Sequence, residues 1–312
     1  MIIVYLIYFL IACFFLTGSG YLLVKSLIKV DKYYHIREFV IGFLLIGITT
    51  SMPELFIGII SALNDVSSLS FGNILGADIV DIAFVVAIVA LLSKGIKFEA
   101  ELEKRTIFIV ASMVLLPLIL FLDQEISRID GIILIIAFFL YIIRLLIVRK
   151  KFKAPENGTV SKRELHKDII LFIISLTVLI LSARLVVYAA SQIAIWLSLP
   201  SFVIGLIVVS IGTSLPELLF EVNSVRKGHS SMALGDLFGS LAFNSTFILG
   251  IVSLISPIQV QFSSFIISST FIIISLLTFL VFARTGKEIT RKEGVMLLIL
   301  YILFVIFNLL MK

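Results

Sequence analysis

An all-α integral membrane protein is predicted, with ten transmembrane helices in two inverted five-helix repeats and broken helices at a buried polar site. Three observations predict it. The 312 residues are 60% hydrophobic and only 14% charged, with a mean hydropathy of +1.20, whereas soluble domains are about 25% charged. The apolar residues fall into runs long enough for helical spans, and the strand-like alternation of an outer-membrane barrel is absent. One polar motif recurs inside these runs, as TTSMPE at 49–54 and GTSLPE at 212–217.

The ten expected spans are 2–28, 37–63, 70–93, 105–122, 129–149, 168–197, 202–226, 231–256, 258–283 and 293–311. The first is apolar from Ile2, with no basic stretch and no small-residue cleavage site before it, and reads as a retained helix. Cys13 lies in it as the single cysteine, so an intrachain disulfide is excluded. With connections on alternating sides, 22 of the 25 basic residues fall in or beside the connections of one side. Arg128 and Lys312 fall on the other, and Arg184 lies within a span. Basic residues accumulate in cytoplasmic loops, so both termini are expected outside a plasma membrane. The same rule accounts for the net charge of +5 without a nucleic-acid-binding patch. The longest connection, KKFKAPENGTVSKRELHK at 150–167, reads as a cytoplasmic linker between halves 1–149 and 168–312. His35, His166 and His229 all fall in cytoplasmic connections and read as solvated side chains.

The two motifs align without gaps at an offset of 163, GFLLIGITTSMPEL from Gly42 against GLIVVSIGTSLPEL from Gly205. The register continues into the next span, where GNILGADIVD (72–81) falls on GDLFGSLAFN (235–244). Each half has an odd number of expected spans, so the same local sequence threads the membrane in opposite directions. Inverted repeats with interrupted helices near the midplane are typical of secondary transporters.

Proline within a helix removes a donor and disturbs the carbonyl four residues earlier. Pro53 and Pro216 are therefore expected to free carbonyls near Thr49–Thr50 and Gly212–Thr213. Such groups need protein, water or an ion as partner inside a membrane. Hydroxyls beside the breaks add oxygens, and Glu54 and Glu217 add negative charge. On the partner helices, Ala77 and Asp81 share one face, as do Ser240 and Asn244. The expected core is Glu54, Asp81, Glu217 and Asn244. An all-oxygen donor set suits a hard cation such as Ca²⁺ or Na⁺. A charge at the bilayer centre costs about 2.5–3.5 kcal/mol or more, so three carboxylates there call for compensating cations or protons. Asp78 adjoins the ligand face and is a candidate for tuning the site or carrying a proton. Asn73 and Asp236, each just after a glycine, read as helix caps or braces. Arg184 reads as snorkelling or locally hydrogen-bonded.

The paired TS-x-P-E motifs, each followed by G-[ND]-x-x-G-[SA]-x-x-x-[ND], resemble the alpha repeats of the sodium/calcium exchanger (cation/Ca²⁺ antiporter) superfamily, in its prokaryotic type. The specific match covers 42–82 and 205–245. The resemblance implies one Ca²⁺ position with flanking Na⁺ positions. It carries over to the side chains of Thr50, Ser51, Glu54, Asp81, Thr213, Ser214, Glu217, Ser240 and Asn244, with carbonyls from Gly47 and Ser210. This chain departs from the family pattern at three places. Asp81 and Asn244 reverse the order usual in microbial relatives, Ala77 stands where a serine is usual, and Thr49 stands where a glycine is usual. The expected function is Ca²⁺/Na⁺ antiport by alternating access. H⁺/Ca²⁺ or K⁺-involving exchange is the alternative, and a passive cation channel is disfavoured by the opposed, bulky motifs. The first and sixth spans are, by family analogy, the elements that slide. No enzymatic chemistry, cofactor or protein partner is expected; the partners are Ca²⁺, monovalent cations and the lipid bilayer.

Overall fold

The structure is a computed structural model that describes residues 2–31, 46–93, 95–97, 104–149, 162–285 and 288–310. The start of the first motif, residues 42–45, and most of the expected linker, 150–161, lie outside the described residues. Residues 162–167, expected in the linker, begin a helix instead.

The described residues are helical nearly throughout. In order, the main helices are α1 (Ile2–Asp31), α2 (Gly47–Thr50), α3 (Met52–Leu63), α4 (Ser67–Ile79), α5 (Val86–Ser93), α6 (Lys104–Leu120), α7 (Arg128–Arg149), α8 (Lys162–Leu197), α9 (Ser201–Ile204), α10 (Ser210–Thr213), α11 (Leu215–Arg226), α12 (Ser230–Ala242), α13 (Leu249–Ile255), α14 (Phe262–Thr285) and α15 (Arg291–Leu310). Eight helical stretches among the described residues are long and apolar enough to cross a membrane. One further apolar helix, Met52–Leu63, is shorter.

Two apolar clusters organise the packing. The larger joins α4–α7 to α12–α15, with Phe71, Phe121, Phe202 and Phe265 at its centre. The smaller lies between α1 and α8, where Phe9, Ala12 and Leu16 meet Leu179, Ala183 and Val186. These two helices are broadly exposed on their outer faces, through residues such as Phe14, Leu10, Ile173 and Ile195. Apolar side chains on the outside and polar ones inside are the pattern expected for a protein dissolved in lipid.

Among the described residues, four two-residue strands clip the halves together, an element the sequence did not suggest. Strand β1 (Ile96–Lys97) pairs antiparallel with β4 (Glu288–Ile289), and β2 (Glu125–Ile126) pairs with β3 (Ile258–Gln259). Helix α6 and a short 3-10 turn separate β1 from β2. At 17 residues and about 1.5 Å per residue, α6 is long enough to set the two clips at opposite ends of the bundle.

Candidate functional site

The polar motifs meet inside the bundle, and their backbones are near copies. Among the described residues, each motif segment is helical up to a break at one serine. Ser51 has φ −80° and ψ 9°, and Ser214 has φ −80° and ψ 4°. Pro53 and Pro216 therefore sit not inside a kinked helix but in the first turn of a new one. That is where a missing N–H is tolerated and a fixed φ is helpful. The expected break is present in both motifs, and it falls just before the proline, at the serine.

The partner helices carry a second interruption that sequence periodicity did not reveal. Helix α4 passes into a π-helical segment at Val80–Val85, and α12 does so at Phe243–Ile248. These segments are mates at the offset of 163, and each holds one expected ligand, Asp81 or Asn244, as its second residue. Such bulges concentrate at functional positions because they re-aim side chains and loosen the backbone ladder.

The two halves interlock through crossed hydrogen bonds. Thr50 Oγ1 donates to Asp236 Oδ1 at 3.0 Å, and Thr213 Oγ1 donates to Asn73 Oδ1 at 3.2 Å. Asn73 and Asp236 thus brace the opposite motif. They do not cap helices, because α4 begins at Ser67 and α12 at Ser230, several residues earlier. Thr50 also lies 3.4 Å from Ser240 Oγ, which donates to the Gly47 carbonyl at 3.3 Å. Close approach of backbones makes this possible: a Cβ on Gly47 would lie 2.8 Å from the Gly239 Cα. At the mated crossing a Cβ on Gly76 would lie 2.7 Å from the Ser210 side chain. The two expected carbonyl ligands are engaged here, Gly47 by Ser240 and Thr50, and Ser210 by Thr213 Oγ1 at 3.2 Å.

The eleven expected ligands and Asp78 are all buried. Among the described residues, the oxygens of Glu54 and Glu217, the hydroxyls of Ser51 and Ser214, Asp81 Oδ1 and both amide atoms of Asn244 have no hydrogen-bond partner. Glu217 is within electrostatic range of Glu54, Asp81 and Asp236. Asp78 accepts a hydrogen bond from Ser245, a residue of the other half. Two acids beyond the expected core and Asp78 are equally enclosed, Glu221 and Asp236. Among the described residues no Lys or Arg is buried. Arg184 is far from playing that part: it lines a half-open cavity of about 560 Å³ with Asn64, Val187 and Tyr188. No three acidic, histidine or cysteine side chains converge as a closed metal cage among the described residues. A cation here would take its shell from carboxylates of both halves together with hydroxyls and carbonyls.

Glu221 was not anticipated. Its signal was present, an acid one turn after Glu217 in an apolar helix, but its mate at the offset of 163 is Gly58 and so the duplication did not point to it.

This duplicated, acid-lined crossing has a counterpart in known proteins. The sodium/calcium exchanger protein family matches the chain over residues 4–147 and again over 167–310. The chain belongs to that family. The two matched stretches are themselves 163 residues apart, the same offset as the motifs. Among curated relatives, the sodium/calcium exchanger MaX1 of Methanosarcina acetivorans is 29% identical, with 97% of each chain covered. The inner membrane protein YrbG of Escherichia coli is 28% identical over 85% of each. Among solved structures, that of the sodium-calcium exchanger NCX_Mj soaked with Na⁺ and Sr²⁺ superposes with a TM-score of 0.71 at 26% identity, covering 98% of this chain and 99% of that one. Family and fold make this protein a multi-pass membrane cation/Ca²⁺ antiporter.

Proposed function

We propose that the protein exchanges Ca²⁺ for Na⁺ by alternating access, through one site built from both motifs. The observation that carries this reading is the pair Glu54 and Glu217, buried with unpartnered oxygens beside the crossed threonine bonds, with no buried basic residue among the described ones to neutralise them. Burying an ionised carboxylate costs several kcal/mol unless it is compensated. An empty site is therefore costly, and the protein changes sides chiefly when loaded. Ca²⁺ takes Glu54, Glu217 and Asp81 with oxygens of Thr50, Thr213 and Ser240. Na⁺ ions compete for overlapping sets that include Ser51, Ser214, Asn244 and the Gly47 and Ser210 carbonyls. Either load neutralises the cluster, and both together would overfill it.

Ten spans in two inverted halves, joined by the 150–167 linker, complete the reading. The strand clips support it. Residue 96 of β1 and residue 259 of β3 are mates at the offset of 163, yet they belong to different clips, and α6 separates those clips along the bundle. Mates at opposite ends are what inversion requires. The basic connections then face the cytoplasm and both termini face outward, in the plasma membrane. The α1–α8 pair, with its own apolar seam, is the element that slides over the core. A Cβ on Gly20 of α1 would lie 3.5 Å from Pro216 and 3.7 Å from Pro53, so this helix touches both breaks at once.

Reconstituted vesicles loaded with ⁴⁵Ca²⁺ test the coupling, with Na⁺, K⁺ and H⁺ gradients imposed singly. A Na⁺ gradient should drive Ca²⁺ flux. Flux driven by H⁺ alone would replace this with H⁺/Ca²⁺ exchange, for which Asp78, held by Ser245, or Asp81 is the acceptor.

A further inference from the structure

Glu221 and Asp236 are not part of the cation core described above, yet they are as deeply enclosed as its members. Glu221 is 2% exposed and Asp236 is 0% exposed. Among the described residues, Glu221 Oε1 has no hydrogen-bond partner. Asp236 Oδ1 accepts from the Thr50 hydroxyl, and Oδ2 has no partner among the described residues. The two residues come from antiparallel neighbours, α11 and α12, joined by a tight turn around Gly228. They stand almost equally far from that turn in sequence, which brings them to the same level of the hairpin. Glu221 is in electrostatic range of Asp236 and of Asp81, a member of the core. The pair therefore lies about one helical turn, roughly 5–6 Å, from Glu217 toward the Arg226 end.

The other half has nothing equivalent. At the offset of 163 the mates are Gly58 and Asn73, both uncharged. Gly58 has no room for a longer side chain, because a Cβ there would lie 2.9 Å from Val252 Cγ2 and 3.0 Å from Ser70 Oγ. Two carboxylates with unpartnered oxygens, placed together away from water, repel each other and lack solvation. A hard cation bound by carboxylate oxygens relieves both costs.

We propose that Glu221 and Asp236 form an auxiliary divalent-cation station, which Ca²⁺ occupies between the Glu54–Glu217 core and the Arg226 end of the hairpin. This rests on the cation-exchange reading above. With two carboxylates and retained water as ligands, the station binds Ca²⁺ more weakly than the core, as a stop on a route must. It exists on one side only, so the two routes to the core differ.

Calorimetric titration of the purified full-length protein with Ca²⁺ tests the station. The native protein should show two classes of site. Glu54→Gln with Glu217→Gln should abolish the tighter class and leave the weaker. Adding Glu221→Gln, or in a separate variant Asp236→Asn, should weaken the remaining binding at least tenfold. The two variants are independent, so one that fails to give a monodisperse protein leaves the other to decide. Loss of all Ca²⁺ binding in the Glu54/Glu217 variant, or residual binding that survives both further substitutions, would overturn the station and leave the exchanger reading intact. A native protein that binds no Ca²⁺ would overturn the reading on which it rests.

Discussion

The two motif hairpins, α2–α5 and α10–α13, share a backbone and differ in where they keep their charge. Their breaks at Ser51 and Ser214, their π segments, and their crossed threonine bonds superimpose in sequence register. Each contributes three buried carboxylates among the described residues: Glu54, Asp78 and Asp81 in the first, Glu217, Glu221 and Asp236 in the second. Only the two glutamates of the motif are mates. In the first half the further acids sit on the partner helix around its π segment. In the second they sit a turn or two away, toward the turn at Gly228. Duplication thus kept the backbone frame, while the charge was redistributed within it. The frame is set by close backbone crossings, which tolerate few residues, whereas charge is set by side chains that can change singly.

This comparison can be broken at several points. The largest effect is expected for Glu54→Gln and Glu217→Gln, the mated pair. Each should lower Ca²⁺ affinity by roughly 30-fold or more, taking about 2 kcal/mol for a charged contact, and the two losses should be similar. A variant that keeps native Ca²⁺ affinity in a binding titration would show that the halves do not share one site. Next come the crossings. Gly76→Ala should destabilise the protein by about 1–3 kcal/mol through overpacking against the Leu206 carbonyl and the Ser210 side chain. Gly18→Ala, with nothing within 4 Å of its new methyl, should be neutral or stabilising. Thermal unfolding of the two variants in one detergent compares them directly, and equal shifts would deny the crossing its role. Thr50→Val should cost more than Thr213→Val, since its acceptor is a carboxylate and not an amide. The respective figures are about 1.5–3 against 0.5–1.5 kcal/mol, read from the same unfolding assay; the reverse order would contradict the charge assigned to Asp236. The smallest effect is expected from Ala77→Ser. It restores a hydroxyl on the face of Asp81 and should lower the Na⁺ concentration for half-maximal Ca²⁺ efflux a few-fold, with Ca²⁺ affinity little changed. An unmoved Na⁺ midpoint would place residue 77 outside any Na⁺ shell.

Much of this frame was legible in the sequence because duplication acts as an internal control. A proline, hydroxyls and an acid recurring in one register identified Glu54 and Glu217 without any structure. The helix limits followed hydropathy closely, as at α7, expected at 129–149 and found at Arg128–Arg149. What stayed hidden is what periodicity does not encode. A π segment replaces one hydrogen-bond spacing by another without changing residue type, so Val80–Val85 read as ordinary helix. The strand clips are too short to leave a pattern. Asn73 and Asp236 were expected as caps or braces, and only bracing holds, because each lies six residues inside its helix. Glu221 was missed because comparing mates finds what the halves share, and this acid is a difference between them.

If mated positions surround a single site, a charge can move between them. Asp81 and Asn244 test it most directly, each being the second residue of its π segment. The measurement is ⁴⁵Ca²⁺ uptake into vesicles reconstituted with the native protein, Asp81→Asn, and the double variant Asp81→Asn with Asn244→Asp. Asp81→Asn should lose most uptake, and the double variant should recover a substantial part of it, because the carboxylate count around the site is restored. A double variant no more active than Asp81→Asn alone would contradict the claim.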